Sequence, residues 1–108
     1  MSKKLLIGEL EKIAHRLPLA FEVEEYRIAL FKLTGGSIYA IDDLCTHEVA
    51  SLADGVVEGE IVSCPLHGAQ FNIKTGTSLS LPALHSVNSY PVSIEDSKIY
   101  VHVGEAAE

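Results

Sequence analysis

Two short segments in the middle of this 108-residue chain each place a cysteine close to a histidine. The first is Cys45-Thr46-His47 and the second is Cys64-Pro65-Leu66-His67-Gly68, with sixteen residues between His47 and Cys64. Thiolates and imidazoles both bind metals, and two loops that carry one of each can share a four-ligand site only if they meet in space. The pattern therefore predicts a fold that brings two sequence-distant loops together.

The ligand types leave zinc and an iron-sulfur cluster open as the bound group. Zinc sites usually take paired cysteines from one loop and paired histidines from another, whereas each loop here supplies one residue of each type. A [2Fe-2S] cluster in which two cysteines bind one iron and two histidines bind the other fits this mixed arrangement. A zinc-stabilised interaction module without a redox role remains the alternative.

The length and the composition favour one small domain with one core. A chain of 108 residues is too short for a catalytic domain joined to a separate cofactor domain, and 47% hydrophobic residues supply enough apolar material for folding. Eight Lys and Arg against fifteen Asp and Glu give a net charge of 8 − 15 = −7. This charge argues against nucleic acid and anionic membrane surfaces as partners.

The apolar pattern predicts an antiparallel, all-β fold. Segments 26–33 and 37–42 flank Thr34-Gly35-Gly36, which is a typical hairpin signal. Residues 90–94 and 99–103 alternate apolar and polar side chains on either side of a turn at Asp96-Ser97. Further strand segments are predicted at 5–7, 21–23, 61–63 and 70–73. Helical spacing occurs only at 10–17, where Pro18 would end a helix within about two turns.

Residues 43–63 contain five acidic side chains and no Lys or Arg, so we expect a loop-rich, negatively charged insert. The acidic residues are Asp43, Glu48, Asp54, Glu58 and Glu60. Charged loops can serve solubility alone, or these side chains can surround the metal site and steer docking to a basic partner. We expect a single domain over residues 1–108, with a base formed by 1–42 and 77–108 and a cluster-binding subdomain at 43–76.

The two Cys-His motifs closely resemble the paired signature of Rieske iron-sulfur proteins. The similarity continues through Gly68-Ala69-Gln70-Phe71-Asn72, the Thr75-Gly76 turn and Leu81-Pro82-Ala83. These features are most similar to those of the small soluble Rieske ferredoxins that serve bacterial ring-hydroxylating oxygenases. The resemblance implies the Rieske fold, in which antiparallel β sheets form a base that carries a small inserted cluster-binding subdomain.

The same resemblance implies one [2Fe-2S] cluster per chain and assigns its ligands. Cys45 and Cys64 correspond to the ligands of the inner iron, and His47 and His67 correspond to the ligands of the outer iron. Two neutral imidazoles in place of two thiolates make the cluster less negative, which eases the addition of an electron.

The resemblance implies one-electron transfer rather than catalysis by the chain itself. The expected donor is an NADH-dependent flavoprotein reductase, and the expected acceptor is the terminal oxygenase of an aromatic-ring-hydroxylating dioxygenase system. A small Rieske-like subunit of an assimilatory nitrite reductase is the alternative within the same family.

Two pairs of positions distinguish this chain from the respiratory cytochrome bc type of Rieske protein. That type has a Ser and a Tyr whose hydroxyl groups donate to cluster and ligand sulfur, and this chain has Ala69 and Phe71 there. It also has an extra disulfide, whose cysteines correspond to Ala50 and Leu66. Fewer donors stabilise the reduced cluster less, so we expect a reduction potential at the low end of the Rieske range.

The sequence also bears on location and assembly. No apolar run reaches the roughly 18 residues of a membrane-spanning helix, and acidic residues follow the first seven residues too closely for a signal peptide. We therefore expect a cytoplasmic monomer without membrane contact.

Overall fold

The computed structural model describes residues 2–44, 50–65, 68–79 and 86–104. Over these ranges the chain forms ten strands, one short helix and two 3-10 turns. The strands are β1 (Ser2–Glu9), β2 (Leu19–Val23), β3 (Tyr26–Lys32), β4 (Ile38–Asp42), β5 (Val56–Glu58), β6 (Ile61–Ser63), β7 (Gln70–Asn72), β8 (Ser89–Tyr90), β9 (Val92–Glu95) and β10 (Lys98–Gly104). The helix α1 is Leu10–Ile13, and the 3-10 turns are Ala14–Arg16 and Leu52–Asp54.

The strands form three antiparallel sheets within the described part of the chain. Their orders are β1-β10-β9, β2-β3-β4-β8 and β5-β6-β7. The first and the last strand pair directly, and β1 lies beside β10 along most of its length. The predicted all-β, antiparallel fold is confirmed.

Strand β3 lies at the centre of the packing because both of its faces are buried. Ala29 and Phe31 face a cluster that includes Val62 and Phe71 of the third sheet. Ile28 and Leu30 face a second cluster, which includes residues of β1 and β10. The expectation of one core was therefore wrong. A run of four consecutive apolar residues on one strand covers both faces of a sheet, because neighbouring side chains point to opposite faces.

Both predicted hairpins are confirmed, and their turns have the backbone geometry that their residues favour. Gly35 and Gly36 have φ values of 97° and 92° between β3 and β4. Asp96 and Ser97 have φ values of 52° and 65° between β9 and β10. The turn at Asp96-Ser97 has positive φ at both central residues, which matches the right-handed twist of the paired strands. The β3–β4 loop is one residue longer, because the N–H of Leu33 donates to the carbonyl of Ser37 at 2.8 Å, and its two glycines adopt positive φ without steric cost.

The predicted helix is shorter than its apolar spacing indicated. Only Leu10–Ile13 is α-helical, and Ala14–Arg16 continues as a 3-10 turn that ends before Pro18. The ring of a proline disfavours helical geometry at the preceding residue, which explains the early end.

Strand β5 was missed by the sequence analysis, which treated most of residues 43–63 as loop. Val56–Glu58 pairs with β6 as the edge of the third sheet, and all three of its residues are exposed. An exposed edge strand needs no alternation of apolar and polar side chains, so the sequence carries no period-2 signal there. In the described ranges, no helix is long and apolar enough to cross a membrane.

Candidate metal centre

Cys64 lies at the end of β6, where the β6–β7 hairpin turns. Its N–H donates to the carbonyl of Ala69 at 2.7 Å, and its own carbonyl accepts the N–H of Gly68 at 2.9 Å. Gly68 has a φ of 75°, which lets the chain reverse without steric strain. The Cys64 residue is only 2% exposed and packs in the same cluster as Phe71. The turn thus holds this thiol against the core.

The segment that follows β7 returns to the same end of the hairpin. The N–H of Leu79 donates to the carbonyl of Gln70 at 2.8 Å, which places Leu79 beside the start of β7. The N–H of Ser78 donates to Oγ of Ser86 at 2.9 Å, so Ser78 and Ser86 close the chain on either side of 80–85.

The residues that flank the first motif are also held together by backbone hydrogen bonds. We call these residues, Asp43 and Leu44 on one side and Ser51 and Leu52 on the other, the stem of the first motif. Leu44 and Ser51 form an isolated antiparallel bridge, and the N–H of Leu52 donates to the carbonyl of Asp43 at 2.6 Å. Leu52 is completely buried in the cluster that also contains Cys64. The stem of the first motif and the turn of the second therefore rest on one shared core.

A buried carboxylate holds the first stem. Asp43 is completely buried, and it is the one polar or charged side chain among the described residues in that class. Its Oδ1 accepts Oγ of Ser51 at 2.7 Å and the N–H of Ala53 at 3.0 Å. Its Oδ2 accepts Nε of Arg27 at 2.8 Å, and this hydrogen bond raises the pKa of the guanidinium. A buried carboxylate needs such partners because desolvation of an unpaired charge is costly.

The idea that five acidic residues surround the metal site and steer docking is wrong for three of them. Asp43 is buried and paired with Arg27, so it cannot meet a partner. Glu58 and Glu60 flank the β5–β6 turn, which lies at the end of β6 opposite to Cys64, and Glu60 pairs with Lys74 at 3.1 Å.

The remaining two acidic residues of this segment are Asp54 and Glu48. Asp54 is exposed in the 3-10 turn that follows the first stem. Glu48 lies outside the described residues.

Of the four predicted ligands, only Cys64 falls within the described ranges. Cys45, His47 and His67 lie outside them. The Asp43–Arg27 contact was missed by the sequence analysis. Its signal in the sequence is a pair of acidic residues shortly before a motif, which cannot be distinguished from surface charges without the fold.

A family model described as the Rieske [2Fe-2S] domain matches residues 3–91. The chain belongs to the Rieske family. The match covers both Cys-His segments and most of the three sheets, so the resemblance inferred from the motifs is confirmed. Membership also identifies the bound group as a Rieske-type [2Fe-2S] cluster, which removes the zinc-stabilised module as an explanation of the motifs.

Curated relatives narrow the class of Rieske protein. The chain is 48% identical over 80 residues to a 3-phenylpropionate/cinnamic acid dioxygenase ferredoxin subunit from Shigella boydii, covering 73% of this chain and 74% of that protein. It is 40% identical over 83 residues to the ferredoxin component of a naphthalene 1,2-dioxygenase system from Pseudomonas aeruginosa, covering 77% and 79%. By their names, both relatives are the ferredoxin components of dioxygenase systems.

Solved structures agree with this class. The ferredoxin of carbazole 1,9a-dioxygenase from Nocardioides aromaticivorans matches with a TM-score of 0.82 and 32% identity, over 92% of this chain and 96% of that one. A chain from a complex of reduced oxygenase and oxidised ferredoxin in carbazole 1,9a-dioxygenase matches with a TM-score of 0.82 and 28% identity, covering 97% of each. A putative nitrite reductase small subunit from Mycobacterium tuberculosis has the same TM-score of 0.82 but only 19% identity, over 98% and 99%. That last likeness shows a shared Rieske fold alone.

The described residues fit a Rieske cluster. Cys64 supplies a buried thiol, and thiolate is the ligand that iron-sulfur clusters prefer. Ala69 and Phe71 are completely buried in the same hydrophobic cluster as Cys64. Neither side chain carries a hydroxyl group, so neither can donate a side-chain hydrogen bond to a cluster bound at Cys64.

Proposed function

We propose that this protein is a ferredoxin that carries one electron from an NADH-dependent flavoprotein reductase to the terminal oxygenase of an aromatic-ring-hydroxylating dioxygenase system. The similarity to ferredoxin components at 40–48% identity, over about three quarters of this chain and of each relative, carries the proposal. The chain itself transforms no substrate. The aromatic substrate belongs to the oxygenase, so its identity is set outside this protein.

We propose Cys45, Cys64, His47 and His67 as the four ligands of the cluster. The two cysteines bind the inner iron and the two histidines bind the outer iron. The burial of Cys64 against the core supports an inner position for the iron that it binds. The shared core beneath the two motif stems supports a single site rather than two.

The cluster supplies a site that accepts and releases a single electron. The residues around the cluster exclude water and help to set its reduction potential. Phe71 and Ala69 keep water away from the Cys64 side, and the absence of hydroxyl donors at these two positions favours a low potential for a Rieske protein. A low potential suits a carrier that receives electrons from a flavin and passes them to another Rieske centre.

The organisation of the chain agrees with this role. The third sheet, β5-β6-β7, falls within the proposed cluster-binding subdomain 43–76, while β1 to β4 and β8 to β10 fall within the proposed base at 1–42 and 77–108.

We propose that the protein acts as a monomer in the cytoplasm, because a carrier that alternates between two partners needs weak, short-lived complexes rather than a permanent one.

The spectrum of the reduced protein tests the proposed centre. Anaerobically purified protein is expected to be coloured, to contain two iron and two sulfide per chain, and to give a low-average-g Rieske EPR signal after dithionite. Cys64→Ser should lose iron and colour. Val62→Ala serves as the control, because it truncates a completely buried neighbour on the same strand without removing a ligand.

A reconstituted assay tests the direction of electron flow. The protein is expected to couple NADH oxidation by a flavoprotein ferredoxin reductase to aromatic dihydroxylation by a Rieske oxygenase, with no product when the ferredoxin is omitted. Co-purification in a stable complex with a large nitrite reductase subunit, and no turnover with any dioxygenase component, would replace this proposal with the nitrite reductase role.

A further inference from the structure

Asp43 is completely buried, and its charge is paired with that of Arg27. It lies two residues before Cys45, the first residue of the first motif. Its carboxylate accepts hydrogen bonds from one side chain that precedes it in the chain and from two groups that follow the motif. Arg27 reaches it from β3, and Ser51 and Ala53 reach it from beyond the segment 45–49. One carboxylate thus ties three parts of the chain together.

The arrangement closes the first stem with side-chain as well as backbone bonds. Oγ of Ser51 donates to Oδ1 at 2.7 Å, while the backbone of Leu52 donates to the Asp43 carbonyl at 2.6 Å. The N–H of Asp43 itself donates to the carbonyl of Arg27 at 3.0 Å. Both ends of the segment that contains Cys45 and His47 are therefore fixed to β3 through one residue.

The pair also places a fixed charge close to the proposed ligands. Two residues of extended chain span at most about 7 Å between Cα atoms, so the Cα atoms of Asp43 and Cys45 lie within this distance. The carboxylate is completely buried, so solvent screens its charge poorly. Arg27 offsets this charge in part through its contact with Oδ2, and its side chain is 42% exposed.

We propose that Asp43, held by Arg27, is a positioning residue for the cluster: it fixes the stem that presents Cys45 and His47, and its charge helps to set the reduction potential. The inference rests on the proposed assignment of Cys45 and His47 as ligands. Asp43 touches neither the cluster nor a partner protein in this role. It acts through Ser51, Ala53 and Arg27.

Three variants separate the geometry of the pair from its charge. Ser51→Ala removes one bond across the stem and keeps both charges. Arg27→Lys keeps the positive charge and removes the Nε donor with its fixed direction. Asp43→Asn removes the charge and leaves a buried amide facing Arg27. Val101→Ala is the matched control, because it truncates a completely buried side chain in the other hydrophobic cluster.

The first readout is the rate at which visible colour is lost in the presence of an iron chelator. Each holoprotein is measured at the urea concentration that leaves the same free energy of unfolding, so differences in global stability cancel. Asp43→Asn is expected to lose the cluster about tenfold faster than Val101→Ala, since a broken buried pair leaves the stem without its anchor. Ser51→Ala and Arg27→Lys should fall between these two variants.

The second readout is the reduction potential, which a purely structural role would not move in a charge-dependent way. Asp43→Asn should raise the potential, because a buried negative charge opposes the addition of an electron. Ser51→Ala and Arg27→Lys, which conserve charge, should leave it close to that of the wild-type protein.

The outcomes distinguish the inference from the proposed function. A coloured wild-type protein whose variants all lose the cluster at the rate of Val101→Ala would overturn the positioning role alone. Equal potentials in Asp43→Asn and the wild-type protein would overturn the electrostatic part of it. A wild-type protein without iron would overturn the proposed function and this inference together.

Discussion

Asp42 and Asp43 are consecutive residues at the end of β4, yet their carboxylates anchor two different parts of the chain. Asp43 binds the stem of the first motif, as described above. Asp42 accepts the N–H of Asn88 at 2.9 Å and the hydroxyl of Tyr90 at 2.5 Å, both of which follow the segment 80–85. Successive side chains of a strand point to opposite sides, so two adjacent carboxylates can serve two segments.

The hydroxyl of Tyr90 should contribute to stability in a pH-dependent way. Burial raises the pKa of this phenol, and its hydrogen bond to Asp42 raises it further. In the unfolded chain a tyrosine loses its proton near pH ~10. The stabilisation is therefore fully present below that pH and is lost as the pH rises above it, because the unfolded chain ionises while the folded protein holds the proton.

Tyr90→Phe tests this linkage. The variant is expected to be less stable than the wild-type protein by about 1.5 kcal/mol at pH 8, the cost of a hydrogen bond to a charged group. The difference should shrink above pH ~10, since phenylalanine cannot ionise. Urea unfolding at pH 8 and at pH 11 checks it. A difference of the same size at both pH values would contradict the linkage.

A hydroxyl group at position 69 should raise the reduction potential. Ala69 is completely buried in the same hydrophobic cluster as Cys64, and Ala69→Ser would place a donor there that favours the more negative, reduced state of the cluster. Protein-film voltammetry measures the shift. Ala29→Ser is the matched control, because Ala29 is equally buried in the same cluster but lies on β3. An equal shift in both variants would show that burial of any hydroxyl group accounts for the effect.

Gly76 should tolerate no side chain. It has a φ of 79°, and an added Cβ would overlap the carbonyl oxygen of Val87, whose N–H donates to the carbonyl of Gly76 at 2.9 Å. Gly76→Ala is expected to destabilise the protein by about 3 kcal/mol or more, from the strained backbone and the overlap together.

Gly59→Ala separates those two causes. Gly59 has a φ of 62°, but an added Cβ would meet no atom within 4 Å. Backbone strain alone should cost about 1 kcal/mol there. Chemical denaturation of both variants gives the comparison, and equal losses would mean that the approach of Val87 to Gly76 is unimportant.

The acidic residues should differ in their effect on partner binding. Asp54 is exposed next to the first stem, whereas Glu60 is at the far end of β6 and pairs with Lys74. Asp54→Asn should slow association with a basic oxygenase surface by about twofold at low salt, because charges near an interface mainly change association rates. Glu60→Gln should leave the rate unchanged. Stopped-flow electron transfer at two salt concentrations measures both, and an equal effect would place the docking surface elsewhere.

The sequence by itself determined the cluster chemistry and most of the strands. The residue types at Cys45, His47, Cys64 and His67 limited the bound group to zinc or an iron-sulfur cluster. The resemblance to the Rieske signature implied the cluster, and the family match bears that class out. Hairpin turns are equally local, since glycines such as Gly35 and Gly36 can adopt positive φ without the steric cost that a side chain would add. These features need no knowledge of distant residues.

Only the tertiary structure decided the role of Asp43 and the place of β5. The sequence analysis assigned Asp43 to an exposed acidic surface, but the fold brings Arg27 and Ser51 to it from 16 and 8 residues away and buries its carboxylate completely. Strand β5 forms because β6 offers it an edge, not because its own residues alternate. Whether a charge is buried and whether an edge is paired depend on contacts between sequence-distant residues, which no local pattern encodes.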